Sequence, residues 1–251
     1  MWIMANCCDS LHDVLCAFSG VTSTHDEGRK YDELARQFRE VANGIFFGGC
    51  FQISGIRRLY PIEIEFYYHE ENPDGLKDPV MYHTSDRTKN ENLSYYPLGS
   101  LHFHVSGMDV TFENEEKKYR ASFLIREYQV VDLVDGIWIP RKETNKNRPT
   151  YIYEDMLMGV PVFDGITIQW VTEPKAMEEC NLTIKSRVNV SDYQKDENGK
   201  YRKDSNMNYV KDEISKEAFE KLSPTDRQKY FIYSKKIFRK CTRPWNFRKK
   251  M

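Results

Sequence analysis

The sequence predicts an α+β fold: one domain, residues 1–251, with a curved, mostly antiparallel β-sheet flanked by helices. Three observations lead there. Apolar residues recur at helical spacing before residue 45, and from Ile45 onward the period changes to two. The chain also carries 16 Tyr, 14 Phe and 4 Trp, an excess of rings that suits strand cores and surfaces that stack on flat ligands. At 251 residues and 40% hydrophobic content it is long enough to bury a large core.

Taken in order, Asp9 can cap a short helix whose Leu11, Val14, Leu15 and Phe18 share a face, with Gly20 beyond its end. Tyr31, Leu34, Ala35, Phe38, Val41 and Ala42 form the stripe of a second helix, which Gly44 stops. Residues 1–44 are thus a helical N-terminal extension. Strands are expected near 46–54, 61–69, 100–105, 108–114, 119–131 and 165–172. The polar stretch 70–98 is a long loop, of a length that usually serves function. Residues 140–150 form a second polar connection, and Tyr151–Gly159 starts a short helix. Residues 191–212 are a polar surface insertion turning at Asn198-Gly199. Ser223-Pro224 followed by Asp226 opens a helix through about Ser234. No internal repeat or low-complexity tract is expected.

Composition excludes several classes. Net charge is −1, so nothing global points to nucleic acid. Locally, KKIFRKCTRPWNFRKKM (235–251) holds eight Lys or Arg and no acid, which suits either phosphate neutralisation or a solvated end. Cys7, Cys8, Cys16, Cys50, Cys180 and Cys241 lack CxxC spacing and read as reduced thiols. Asp9 interrupts the N-terminal apolar run too early for a signal peptide, and no stretch approaches the roughly 20 apolar residues of a bilayer span. A soluble, cytoplasmic protein is expected, with no membrane association and no obligate protein partner. No GxSxG or SxxK supports a serine nucleophile, and Gly48-Gly49 and Gly99 lack phosphate-loop spacing.

The chemistry concentrates in strands. In IEIEFYYH (62–69), Ile62, Ile64 and Phe66 face one side, while Glu63, Glu65 and Tyr67 face the other. Two acids on one face suit either a wet surface or a pocket wall. His102 and His104 in LHFHV share a face and, with His83 and Glu65, could ligate a metal, although HxH on a strand is a weak signal. Arg126 alternates with Leu124 and Tyr128 on an apolar strand, so an inward guanidinium there needs Glu63 or Glu65, as a structural ion pair or a catalytic one.

In sequence order, IEIEFYYH, DPVMYH, GSLHFHVSGMDVTFEN and RASFLIREYQ resemble the alkyladenine (3-methyladenine) DNA glycosylase family. That family reads E-x-E-A-Y, a D-x-x-x-H loop, G-T-L-Y-V-Y running into G-M, and L-L-R; TRPWNFRK resembles its C-terminal ending. The resemblance covers roughly residues 45–250, and it rests on order and spacing, since no single motif is specific. It implies that Glu65 is the general base that activates water, with Arg126 helping to hold that water. It implies a base pocket of Tyr67, His83, His104 and Leu124, with His104 standing where the family stacks a second tyrosine. DNA contacts are expected at Val105, Ser106, Lys235, Lys236, Arg239, Lys240 and Arg243.

Two departures matter. Ser106, with Val105 beside it, stands where the family wedges a tyrosine into the duplex; serine cannot fill that gap, so either another residue supplies the wedge, from the 70–98 loop for example, or the substrate is not ordinary duplex DNA. The family's asparagine after G-M is either shifted to Asn114 or replaced by Glu113. The expected function is a monofunctional DNA glycosylase, without cofactor or metal, that flips out alkylated or modified purines and hydrolyses their N-glycosidic bond. The alternatives are a nucleic-acid-binding protein that kept the pocket without turnover, and a His-ligated metal-dependent hydrolase.

Overall fold

The computed structural model describes residues 11–21, 27–142, 149–163, 165–173, 182–188, 190–198 and 200–250. Two helices come first, α1 (Leu11–Cys16) and α2 (Glu27–Gly48). Strands β1 (Gly49–Ile53) and β2 (Arg57–Glu70) follow, then the single turn α3 (Ser85–Thr88). The hairpin β3 (Leu101–His104) and β4 (Gly107–Thr111) leads to β5 (Tyr119–Val134) and β6 (Ile137–Pro140). A 3-10 turn at Pro149–Tyr151 opens α4 (Ile152–Leu157), followed by β7 (Ile168–Thr172) and β8 (Leu182–Lys185). The last stretch holds β9 (Glu213–Ile214), α5 (Lys216–Glu220), α6 (Pro224–Arg227), β10 (Tyr230–Tyr233), β11 (Lys236–Arg239) and β12 (Asn246–Lys249).

Among the described residues nine strands make one curled antiparallel sheet in the order β3-β4-β5-β2-β1-β7, with β12 also on β2, β8 on β12 and β6 on β5. The two longest strands set the curl. β2 pairs β1 through Arg57–Leu59 and β12 through Glu63–Glu65, while β5 runs along its other edge. The β2–β5 register slips twice between Pro61 and Ile64, a bulge that bends the strand where proline has no N–H to give. β10, β11 and β9 form a separate three-stranded sheet.

The core lies between α2 and the apolar face of β2. Leu34, Phe38, Ala42 and Ile45 are fully buried, and Phe38 stacks on Phe66 with ring centroids 4.3 Å apart. Burying each such side chain contributes about 1.5–3 kcal/mol, far more than helix propensity supplies. The opposite face of β2 carries Glu63, Glu65, Tyr67 and His69, and it too is covered. The choice between wet surface and enclosed wall therefore falls to the enclosed wall.

Several expectations need correction. Gly44 does not stop α2; it is the crossing point with α1, where an added Cβ would meet the Val14 methyls at 2.5 Å and 2.6 Å. Residues 46–48 consequently stay helical, and the first strand begins at Gly49. The helix capped by Ser223 ends at Arg227; the ring-rich Tyr230–Tyr233 turns instead into a hairpin through Ser234 and Lys235, both at positive φ. The C-terminal stretch is not a solvated end: Trp245, Asn246 and Phe247 are fully buried, and β12 runs between β2 and β8.

The 191–212 insertion does contain a repeat. Tyr193, Tyr201 and Tyr209 recur every eight residues, each followed by x-Lys-Asp. The units close a ring of backbone hydrogen bonds, Gln194 N to Val210 O, Val210 N to Arg202 O and Arg202 N to Gln194 O, around an edge-to-face triangle of the three tyrosine rings. The polar 70–98 loop contains α3, whose Asp86 accepts from Lys203 at 2.7 Å and from the Tyr209 hydroxyl, fastening the insertion to the body. Asp9, Cys7, Cys8, Cys180 and Gly199 lie outside the described residues.

Gly44→Ala gains about 1 kcal/mol of helix propensity but forces a stiff β-branched neighbour aside, an overpacking cost of about 1–3 kcal/mol. The expected outcome is a lowered urea midpoint for Gly44→Ala, and a neutral or raised one when the same change is made in a Val14→Ala background.

Candidate functional site

The polar face of β2 is charged and buried, so each group on it must find a partner. Glu63 accepts from Asn246 Nδ2 at 2.9 Å, Arg248 at 2.9 Å and Lys185 at 3.2 Å. Burial alone would raise the Glu63 carboxyl, but these donors outweigh it and hold it below the usual carboxylate range. Arg248 also pairs with Glu127, directly opposite Glu63, so one guanidinium separates two facing acids.

Glu65 has no exposure at all. One oxygen accepts from the Tyr67 hydroxyl and from Arg126 Nη2, both at 2.5 Å; the other accepts from Val188 N at 2.6 Å and Asn246 Nδ2 at 3.4 Å. Four donors fill the usual capacity of a carboxylate. Arg126 Nη2 also donates to Val188 O at 3.3 Å, while its Nε is buried without a hydrogen-bond partner among the described residues. Burial opposes charge on Arg126, yet Tyr67 and Glu65 beside it keep its pKa above the ordinary value. The Tyr67 hydroxyl is pushed well up by burial and by the adjacent Glu65.

Beyond Tyr67 and Arg126 opens a cavity of about 460 Å³. The expected Tyr67, His83, His104, Leu124, Val105, Ser106 and Arg126 all line it. Glu65 does not; it lies behind the Tyr67 hydroxyl and the guanidinium. Sheet register explains the gathering. Asn246, Glu65, Leu124, Asp109 and His102 are successive cross-strand partners from β12 to β3, and Tyr67, Ser122 and Thr111 make the neighbouring row.

The sequence reading missed Tyr82, Tyr96, Asp109 and Val190 on the wall. His83 stacks on Tyr96 at 4.0 Å, Tyr96 meets His102 at 5.5 Å, and Tyr82 meets His102 at 5.3 Å and His104 at 4.9 Å. Burial lowers the His102 pKa and raises the Tyr82 hydroxyl, with Asp109 adding to the latter. Glu113 accepts from His83 Nδ1 and Arg120 Nη1, each at 3.0 Å, on the cavity wall, whereas Asn114 is not among the lining residues.

A second missed group lies beside the site. Asp78 is clasped by Arg187, at 2.5 Å and 3.1 Å, with Arg243 at 3.4 Å, and the two guanidiniums hold its carboxyl below the usual range against burial. Arg187 also lies over the Tyr67 ring at 5.2 Å. Arg243, expected on DNA, is buried and donates to Lys77 O, so it is corrected to a structural residue. Of the other expected DNA contacts, Lys236 pairs with Glu213 at 3.1 Å and Arg239 with Asp212 at 3.6 Å. The proposed His83, His102, His104 and Glu65 metal set is not assembled, and no group of three or more His, Cys, Asp or Glu among the described residues could hold a metal ion. Among the described residues no helix is long and apolar enough to cross a membrane.

No family model matches the chain, and no curated protein or solved structure shows significant similarity to it.

His69, next along the same face, is fully buried with Nδ1 accepting from Asp78 N at 3.1 Å. Burial and Lys77 hold its pKa down to about 4. Below pH ~6.5 the unfolded chain takes up a proton that the folded state refuses, so stability is complete above that pH and falls toward pH ~4 by a few kcal/mol. Urea midpoints measured between pH 7 and 4.5 should therefore drop in wild type and flatten in His69→Gln, whose carbonyl can still accept from Asp78.

Proposed function

We propose that the protein is a monofunctional DNA N-glycosylase that draws a modified purine out of the helix into the cavity and hydrolyses its bond to the sugar. The observation that carries this reading is the buried Glu65–Arg126 pair, bridged by Tyr67, directly behind a cavity whose lining includes the rings of Tyr67, Tyr82, His83, Tyr96, His102 and His104. A volume of about 460 Å³ falls in the range of small-molecule pockets, and a base can reach an enclosed site only by leaving the stack.

The lining favours a cationic, alkylated base. Among the described lining residues Arg126 is the one Lys or Arg and is balanced by Glu65; Glu113 is balanced by Arg120, which leaves Asp109 as the wall's acid beside rings that offer cation–π faces. Because Glu65 stands behind Tyr67, the water's proton passes through the Tyr67 hydroxyl as the tyrosine's own proton moves to Glu65 Oε1. The Arg126 guanidinium, on the cavity lining, holds the water's oxygen. The new bond joins that oxygen to C1′, and the C1′–N bond breaks with its electron pair going to the purine, cancelling the positive charge. No lysine acts as nucleophile, so an abasic site remains in an uncut strand. Val105, 90% exposed at the β3–β4 turn and on the cavity lining, would fill the gap in a duplex.

One observation favours a second reading, a base-binding protein without turnover: Glu65 already has four donors.

The test is release of alkylated purine from an oligonucleotide, read as alkali-labile abasic sites. Wild type should release base, and Glu65→Gln and Tyr67→Phe should each slow release by about 100-fold or more. Tyr67→Phe at full rate beside an inactive Glu65→Gln would mean that water meets Glu65 directly. Release unaffected by Glu65→Gln would remove the mechanism, and tight binding with no release would establish the second reading. Val105→Gly should impair release from duplex while sparing single strands.

A further inference from the structure

We propose that His104 Nε2 and Asp109 Oδ1 form a donor–acceptor pair that reads a base edge carrying an N–H beside an acceptor atom. This rests on the cavity being a base pocket and adds the feature by which a base is chosen.

Both residues line the cavity, both atoms are buried, and neither has a hydrogen-bond partner among the described residues. They lie 3.3 Å apart without the alignment to satisfy each other. A buried carboxylate oxygen left unpaired is costly, so a partner from the ligand side is the economical solution. Neighbours fix the role of each atom. Ser106 N donates to His104 Nδ1 at 3.1 Å, so Nε2 carries the ring's hydrogen and is the donor. Asp109 Oδ2 accepts from the Tyr82 hydroxyl at 2.9 Å, leaving Oδ1 as the acceptor without a hydrogen-bond partner among the described residues.

Tyr82 has one hydrogen, so with that given to Asp109 its oxygen accepts from His102 Nδ1 at 2.7 Å. The pair is thereby braced from behind by a His102–Tyr82–Asp109 chain, and from the sheet by the Asp109–Leu124 and Asp109–His102 register. A donor and an acceptor side by side match the adjacent atoms of an amide or amidine edge. The 6-position edges of aminopurines and oxopurines are of that kind. A base with no N–H there would leave Asp109 buried and unpaired, and such a site rejects the analogue that lacks the group more strongly than an apolar pocket can.

The experiment is calorimetric titration of the whole protein with 9-methyladenine, 9-methylhypoxanthine and 9-methylpurine, the methyl standing where the sugar would be. The first two carry the edge and the third has no N–H. Wild type should bind both edge-bearing bases about tenfold or more tighter than 9-methylpurine. In Asp109→Asn, with Tyr82 still donating to the amide oxygen, an NH2 faces the ligand and the preference should vanish. His104→Phe keeps the ring, removes the donor and should reduce the preference several-fold, which supplies a second variant should Asp109→Asn fail to fold. Equal affinity for all three bases, no binding of any, or a preference untouched in both variants would overturn the proposal. Base release from oligonucleotides is scored separately. Release without the binding preference sinks only this pair, and the preference without release sinks only the glycosylase.

Discussion

Glu65 is a carboxylate with no solvent, and everything that satisfies it comes from elsewhere in the chain. Tyr67 comes from its own strand, Arg126 from β5, Val188 from the segment after β8 and Asn246 from β12. A buried charge stripped of such a partner costs about 3–5 kcal/mol, comparable with much of a domain's net stability. The four segments must therefore close around the acid together, and the cavity is bounded by what they bring. The same constraint recurs along β2. Glu63 requires Arg248, Asn246 and Lys185, and Asp78, in the loop that follows β2, requires Arg187 and Arg243.

The register of the sheet converts that electrostatic demand into a site. Once Glu65 faces Leu124 on β5, Asp109 on β4 and then His102 on β3 fall on the same face. A one-residue slip would turn the entire row toward α2, where the Phe38–Phe66 stack fills the space. Glu65 and Asp109 are thus coupled through backbone pairing rather than through a loop. The eight-residue tyrosine repeat contributes from outside: it is fastened to Asp86 and, through Tyr201, to Arg243, behind the segment that supplies Val188 and Val190.

Local periodicity made much of this legible. The α2 stripe, the alternation of IEIEFYYH and the inward Arg126 follow from side-chain direction alone, and the expected pairing of Glu65 with Arg126 is present at 2.5 Å. Boundaries failed where a tertiary contact outweighed a local signal. Gly44 reads as a stop until Val14 is seen against it, and the basic ending, read as either a phosphate-binding or a solvated stretch, turns out to carry Phe247 at zero exposure. Asp78, Arg187 and Asp109 are each unremarkable in sequence, because their meaning lies in partners dozens of residues away. Tyr82 and Asp78 did stand inside DPVMYH, and Asp109 inside GMDVTF, so the segments were singled out before the residues.

The arrangement holds a tension between structure and chemistry. A carboxylate with four donors is well suited to lock a fold and poorly suited to accept a fifth proton unless one donor is itself a relay, which is the part the Tyr67 hydroxyl plays in this account. Transition-state complementarity separates a relay from a lock, because only a working site favours the sugar's developing positive charge over the ground state. The most direct measurement is equilibrium binding of a duplex carrying one cationic pyrrolidine in place of a nucleotide sugar, against the same duplex unmodified. The account predicts about 100-fold or greater preference for the cationic duplex, lost in Glu65→Gln; equal affinity for the two duplexes, or a preference that Glu65→Gln leaves intact, would contradict it.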